Sequence, residues 1–596
     1  MGVKVRDRAR VMGDAKQFPA GDDRLQQKKK QQGIWIAEAM RSSSPFGVIG
    51  LLVVLILGVS FRWANLEAKV YWVDEVATSI RIAGTTKALL TQQLATGQLL
   101  TVQHLLDVQQ LHPALPWSAT LAALYHSPEH APLYFLLARF WLQLTGNGIA
   151  QIRSLSVLFS LLSLPALFWL CEELFHSRRT SWIGVMLLSV SPFFVAYAQE
   201  ARPYSLWSLT LLLMGATLLR AVRTQQRKDW LLYAVAAAIG LYTSLLSLLV
   251  LGGQGIYVAL RRQQDSGILQ QWIRAAGVAV LLFSPWIIVI LQQWTMLQDN
   301  TTWARIPLSP IAMLAIWLYS VVVLFFDLPV SVSLSVETIA KAFTALFILA
   351  LIGIALNSLR RSSKSTRLFL LTFALPIPIV LLFIDLISQG QASATPRYLL
   401  PLQLVVLFVM SHWLNGSFQG WKKNHAGIVV NRSRRSLKPF IFILLIGFCL
   451  MSCISNLNRI PDYQKAHNRF NLPISAIINQ ANRPFILSEA ANTMNLLSLS
   501  HSLRPATLQI FPSIDSDISL NFCNTNFLFN PTPGLVDRLS NNTPFTLKEI
   551  YQPELLTPED IHLSLWQLQN KQVQNKQVQN GQTQQNGSGC EQGTAQ

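Results

Sequence analysis

The chain has 596 residues, of which 51% are hydrophobic and only 13% charged, and its mean hydropathy is +0.35. A soluble domain carries about a quarter charged residues, so this composition excludes an ordinary soluble protein. The formal net charge of +19 does not mark a nucleic-acid binder. Its basic residues stand in short loops between apolar runs, as the positive-inside rule predicts for a membrane protein, and no nucleic-acid-binding motif accompanies them.

Residues 1–43 carry ten Lys or Arg and read as a cytoplasmic, disordered N-terminus. No cleavable signal precedes the apolar run 44–63, which reads as a retained first span. It delivers the chain to a long outer loop, 64–151. Within that loop, 131–146 is apolar but too short to cross about 30 Å of hydrocarbon and contains Arg139, so it is expected as an interfacial helix. That choice fixes the orientation of everything after it. Ten further spans follow at 152–174, 180–198, 204–222, 229–245, 247–260, 274–294, 338–358, 367–388, 398–414 and 439–456. The run 309–327 is expected as a re-entrant or surface helix, because counting it as a span would put Arg360, Arg361, Lys364 and Arg367 on the outer side.

The fold class expected is therefore an all-α polytopic membrane protein with about 11–13 transmembrane helices, residues 44–456. Residues 457–565 mix β-like runs (Pro484–Leu487, Thr507–Phe511) with polar loops and are expected to form a small extracytoplasmic α/β domain. The tail 566–596, with KQVQN duplicated at 571–575 and 576–580, is expected to be disordered. Five cysteines, Cys171, Cys449, Cys453, Cys523 and Cys590, show neither a metal-ligand spacing nor a disulfide framework.

This orientation gathers three acids on the outer side: Asp74 and Glu75 in YWVDEVATS, and Glu200 in YAQEARPYS. Carboxylates kept beside apolar neighbours near a bilayer are costly and often mark function, although Asp74 and Glu75 also suit the first turn of a helix. Arg153, Arg202, Arg305 and Arg397 lie on the same side, with His130 near the first of them in sequence. A single interfacial arginine commonly snorkels toward headgroups; several converging on acids suit a phosphate, which guanidinium binds bidentately. The histidines of the outer loop, His104, His112, His126 and His130, match no standard zinc spacing.

These residues carry a resemblance. An Asp-Glu pair after the first span, HAPLY at 130–134, RSLS at 153–156, SPFFVAYAQEARPYSLW at 191–207 and PRYLLPL at 396–402 occur in the order seen in the GT-C glycosyltransferases. Their branch most similar to this chain is that of protein O-mannosyltransferases and aminoarabinose transferases, the bacterial family 39-like enzymes. Ala131 departs from the commoner HPPLY, and Ser244 stands where relatives often have histidine.

The resemblance covers roughly 45–415 and implies a sugar donor on a polyprenyl phosphate, its tail among the spans. It implies Asp74 as catalytic base with Glu75 and Glu200 assisting. Arg153, Arg202, Arg397 and His130 would hold the donor phosphate, and Tyr134, Tyr204 and Tyr398 would line the donor or acceptor site. It further implies a bacterial plasma membrane location with the N-terminus cytoplasmic and the C-terminal domain outside. No cofactor is expected, a divalent metal is left open, and the acceptor is a lipid, glycan or protein. Two other readings stand beside it: a transporter or flippase, whose signs would be repeats and charges deep in spans, with Asp327 and Asp385 as candidates, and a polymerase or ligase of lipid-linked glycans.

Overall fold

The computed structural model describes residues 45–261, 266–327, 335–415, 437–457, 466–513, 518–521, 525–541, 545–553, 563–570 and 592–595. The N-terminal stretch 1–43, the most basic loop, Cys523 and most of the tail with Cys590 lie outside these residues. Residues 45–56 open the first helix and belong to a unit of their own; everything from Leu57 onward forms a second unit.

All eleven segments expected as spans are helical. Among the described residues, seven helices are long and apolar enough to cross a membrane: Ile149–Phe175, Tyr204–Thr224, Gly267–Gln292, Val336–Arg361, Lys364–Ser388, Pro396–Asn415 and Lys438–Ser455. The pair Arg178–Val190 and Pro192–Ala198, bent by 59°, makes an eighth if counted as one span. Pro192 at the start of the second piece explains the bend, since it disfavours helical backbone in the residue before it and has no N–H to donate. Pro45–Trp63, Arg227–Thr243 and Ser247–Arg261 are helices of 19, 17 and 15 residues. The protein is thus a multi-pass membrane protein.

The two doubtful apolar runs are helices of 13 residues each, Leu133–Thr145 and Pro310–Val322. At 1.5 Å per residue each is about 20 Å long, too short to cross. Leu133–Thr145 buries Tyr134, Phe135, Ala138, Arg139 and Leu142 while turning Phe140 and Leu144 outward. Its arginine does not snorkel. Arg139 is fully buried, donates to the Leu115 carbonyl and the Thr120 hydroxyl, and lies under the Trp117 ring.

The C-terminal region is built on a six-stranded sheet. Its strands are β1 (Leu99–Thr101), β2 (Pro484–Glu489), β3 (Thr507–Phe511), β4 (Thr525–Phe529), β5 (Phe545–Tyr551) and β6 (Leu565–Asn570). The spatial order is β1-β3-β2-β4-β6-β5. The central strands β3, β2 and β4 are parallel, and the pairs at either side are antiparallel.

Two expectations change here. Strand β6 occupies 565–570, so the stretch from 566 to 570 belongs to the sheet and not to the tail. Strand β1 comes from the first loop, pairing Leu100 with Leu508, so the C-terminal region is not a separate domain. One apolar core runs from Val76, Ile80 and Leu105 of that loop through Ile474, Leu497, Leu508 and Phe527.

Candidate active site

Helix α1, Val73–Ile82, carries the first two candidates side by side. Its sequence suits a helix end to end: Asp74 and Glu75 occupy the first turn and Arg81 the last, each complementing the helix dipole. Consecutive residues point about 100° apart, so the two acids face different surroundings.

Glu75 faces inward and is fully buried. Its oxygens accept a bidentate pair from Arg153, at 2.8 and 2.7 Å, and the amide of Ala201 at 2.8 Å. Arg153, equally buried, spends its remaining donors on the carbonyls of Leu66, Lys69 and Val70. Both were expected at the site. The structure instead gives them to each other, with no donor left to meet a phosphate.

Asp74 faces outward. Its side chain is 25% exposed and lies 3.6 Å from Arg202 and 3.5 Å from Arg397. Arg202 also donates to the Asp74 carbonyl at 3.1 Å and to the Thr78 hydroxyl at 3.3 Å. Arg397 sits over three rings, Trp72 at 5.5 Å and Tyr204 and Tyr398 at 5.8 Å. That cation–π setting fixes a guanidinium without consuming its donors.

The QEAR loop, 199–202, follows the bent span and has one task per residue. The Gln199 amide donates to the carbonyls of Phe61 and Ala64, tying the loop to the end of the first helix. Glu200 is 1% exposed and acts electrostatically on Arg153 and Tyr197; it is not at the open surface of the site. Ala201 caps Glu75, and Arg202 meets Asp74.

Of the tyrosines, Tyr204 and Tyr398 stack at Arg397. Tyr134 does not reach the site: it is fully buried, with its hydroxyl 2.9 Å from that of Ser156. Arg305 also lies apart, donating to the Gln298 carbonyl on an exposed turn.

Sequence reasoning missed two members. Arg81 and Glu129 form an ion pair at 3.4 Å, and Asn300 donates to Glu129 at 3.0 Å. Arg81 stands seven residues after Asp74 on the same helix, with Thr78 between them at four. That i, i+4, i+7 spacing is one helical face and was visible in VDEVATSIRI. His130 stands beside Glu129, 3.5 Å from its carboxylate. Burial, then the charges of Arg81, Arg202 and Arg397, hold this imidazole well below its ordinary range. His130 is therefore neutral at pH 7 and offers a hydrogen bond but no charge. Among the described residues, no group of three or more His, Cys, Asp or Glu is arranged to hold a metal ion.

Residues 129–289 match the family model described as dolichyl-phosphate-mannose-protein mannosyltransferase. That segment contains His130, Arg153, Glu200, Arg202 and Tyr204; Asp74 and Arg397 come to the site from outside it. No curated protein matches the sequence.

Among solved structures, ArnT from Cupriavidus metallidurans bound to undecaprenyl phosphate matches at 12% identity with a TM-score of 0.51, over 88% of this chain and 98% of that one. Its apo state matches at 14% identity and 0.48 over the same shares. The archaeal oligosaccharyltransferase AglB from Archaeoglobus fulgidus, in complex with an inhibitory peptide and a dolichol-phosphate, matches at 11% and 0.42, over 77% and 64%.

Residues 129–289 are thus similar to the protein mannosyltransferases, and the chain as a whole shares the ArnT-like fold of the GT-C membrane glycosyltransferases.

Proposed function

We propose that the protein transfers one sugar from a polyprenyl-phosphate donor to a lipid, glycan or protein acceptor at the outer membrane face, with Asp74 as general base. The observation that carries this reading is the partly exposed Asp74 carboxylate beside two guanidinium groups, Arg202 and Arg397, at 3.6 and 3.5 Å. Opposite charges that close favour the ionised carboxylate, which is the form a base needs.

The acceptor hydroxyl or amine gives its proton to Asp74 as its lone pair attacks the anomeric carbon. The bond from that carbon to the phosphate oxygen breaks, and its electron pair stays on the phosphate. One direct displacement inverts the anomeric configuration. The leaving phosphate gains a negative charge, so it needs stabilisation more than a proton. Arg397, fixed by its aromatic rings, and Arg202 supply that stabilisation. The Glu75–Arg153 pair holds the frame, and Arg81, Glu129 and neutral His130 form the adjacent wall that meets sugar or acceptor.

The similar ArnT structure is bound to undecaprenyl phosphate, which supports a lipid-phosphate carrier here. A transport reading loses its candidates. The Asp385 carboxylate accepts the amides of Ala392 and Ser393 at 2.7 Å each. Asp327 accepts from the Tyr319 hydroxyl and the Asn456 amide. Asp385 thus stabilises a local turn, and Asp327 ties its segment to the end of the helix Lys438–Ser455.

The test is transfer from a panel of polyprenyl-phosphate monosaccharides by membranes containing the protein. Asp74→Asn is expected to lower turnover by about 10²–10⁴-fold with insertion intact; undiminished turnover refutes the base. Cysteine labelling with an impermeant reagent tests the face, and labels at the exposed positions Glu67 and Arg305 from opposite sides would overturn the shared outer face.

A further inference from the structure

Helix α1 begins at Val73, and the preceding residue, Trp72, makes no side-chain cap. A helix start leaves backbone N–H groups without intrahelical partners, and an Asn, Asp, Ser or Thr oxygen normally meets one. Here that oxygen comes from the far end of the chain. Asn468 Oδ1 accepts the Val73 N–H at 3.0 Å. Asn468 is fully buried, and its amide is oriented by Asn495 Oδ1 at 3.3 Å.

A second contact lies two residues earlier. The Ser498 hydroxyl donates to the Tyr71 carbonyl at 2.6 Å and accepts from the Asn471 amide at 2.8 Å. The Tyr71 ring meets His501, with centroids 4.7 Å apart. From the membrane side Arg153 donates to the carbonyls of Lys69 and Val70, at 3.1 and 3.0 Å. The strap 69–73 is thus clamped between the buried Glu75–Arg153 pair and the C-terminal region, and Asp74 is the next residue.

We propose that Asn468, assisted by Ser498, is a positioning residue for Asp74: the C-terminal region sets the base by capping its helix in trans. This rests on Asp74 being the base. Fraying of the first turn would move the Asp74 carboxylate relative to Arg202 and Arg397, and displacement of a reacting group by about 1 Å costs about 10²-fold in rate. Arg397 also packs on Tyr204 and Tyr398, which lie outside α1 and its strap, so its contact with the donor is expected to survive loss of the cap. The cap and the donor site are therefore separable by kinetics.

The experiment uses full-length protein in detergent, with Asn468→Leu, Asn468→Asp and Ser498→Ala. Two readouts are taken: steady-state turnover of the panel donor that the wild type uses, and hydrogen exchange of residues 71–78. Asn468→Leu is expected to lower kcat by about tenfold or more, to leave donor KM within about twofold, and to speed exchange at 73–76. Asn468→Asp keeps an acceptor at the helix N-terminus and restores most of kcat.

Unchanged kcat in Asn468→Leu overturns the proposal. So do equal losses in the Leu and Asp variants, or a donor KM that worsens in step with kcat. Should Asn468→Leu fail to fold, Ser498→Ala decides: lower kcat at constant KM supports positioning, and no change refutes it. Retained turnover in Asp74→Asn with faster exchange in Asn468→Leu would remove the base assignment while leaving the cap itself supported.

Discussion

Asp74 and Glu75 are neighbours in sequence and opposites in situation. Each meets arginine, yet Glu75 is sealed with Arg153 in a fully buried pair, whereas Asp74 shares Arg202 and Arg397 at longer range and keeps a quarter of its surface open. A carboxylate buried against a bidentate guanidinium and a backbone amide is out of reach of a substrate proton. A partly exposed one between loosely held cations can accept a proton and remain solvated. The lesson is that an ion pair at 2.7 Å marks the frame of this site, and pairs near 3.5 Å mark its working surface.

The sharpest way to break that contrast is to unpair the frame. Arg153→Ala leaves Glu75 as an uncompensated buried charge and is expected to destabilise by about 3–5 kcal/mol, read as lost yield or a lowered thermal midpoint. Asp74→Asn should leave that midpoint nearly unchanged. Equal destabilisation by the two variants would erase the distinction.

On the working side, Arg397→Ala is expected to raise donor KM on the order of 10–100-fold, with a smaller effect on acceptor KM. Loss of both in equal measure would argue against phosphate binding. Asp385→Ala acts one step back, because Asp385 holds the 392–394 turn that leads to Arg397. Removing two charge-assisted bonds there should cost about 2 kcal/mol locally and raise donor KM several-fold, in the same direction as Arg397→Ala but less.

The smallest effect concerns pH. Burial, with Arg153 adding, lowers His501 to about 4 from its ordinary 6.5. The unfolded chain therefore binds a proton below about 6.5 that the native protein refuses until about 4. Stability should fall through that window, by on the order of 1–2 kcal/mol for a partly buried ring. Thermal midpoints between pH 7 and 4.5 measure it, and His501→Gln should flatten the slope.

Much of the fold was legible because the bilayer imposes simple rules. Every segment expected to span is a helix; shortness kept Leu133–Thr145 from being counted as a span, and the placement of the later basic residues kept Pro310–Val322 from it. The site was legible in outline: Asp74, Arg202, Arg397, Tyr204 and Tyr398 do converge. Which acid faced outward was not, since adjacent residues diverge only once the helix has packed. Nor could the partners of Arg139 be read, because an arginine in an apolar run looks the same whether it snorkels to lipid or bonds to carbonyls. The link from β1 to β3 could not be read at all, for three residues with no strong pattern gain their partner from across the chain. Arg81 was the avoidable omission, lying on the same helical face as Asp74.

That short first strand has a consequence for how the molecule is made. Leu100 pairs with Leu508, and the Val73 amide waits for Asn468. Both partners lie beyond the last span and leave the ribosome after every transmembrane helix. The spans can therefore insert in order as they emerge, while the first long loop remains without its edge partner and α1 without its cap until synthesis is nearly finished. Contacts this distant in sequence form slowly. A nascent chain would thus sit in the membrane with its sugar-transfer centre unset and acquire activity only as its final hundred or so residues docked back onto its beginning.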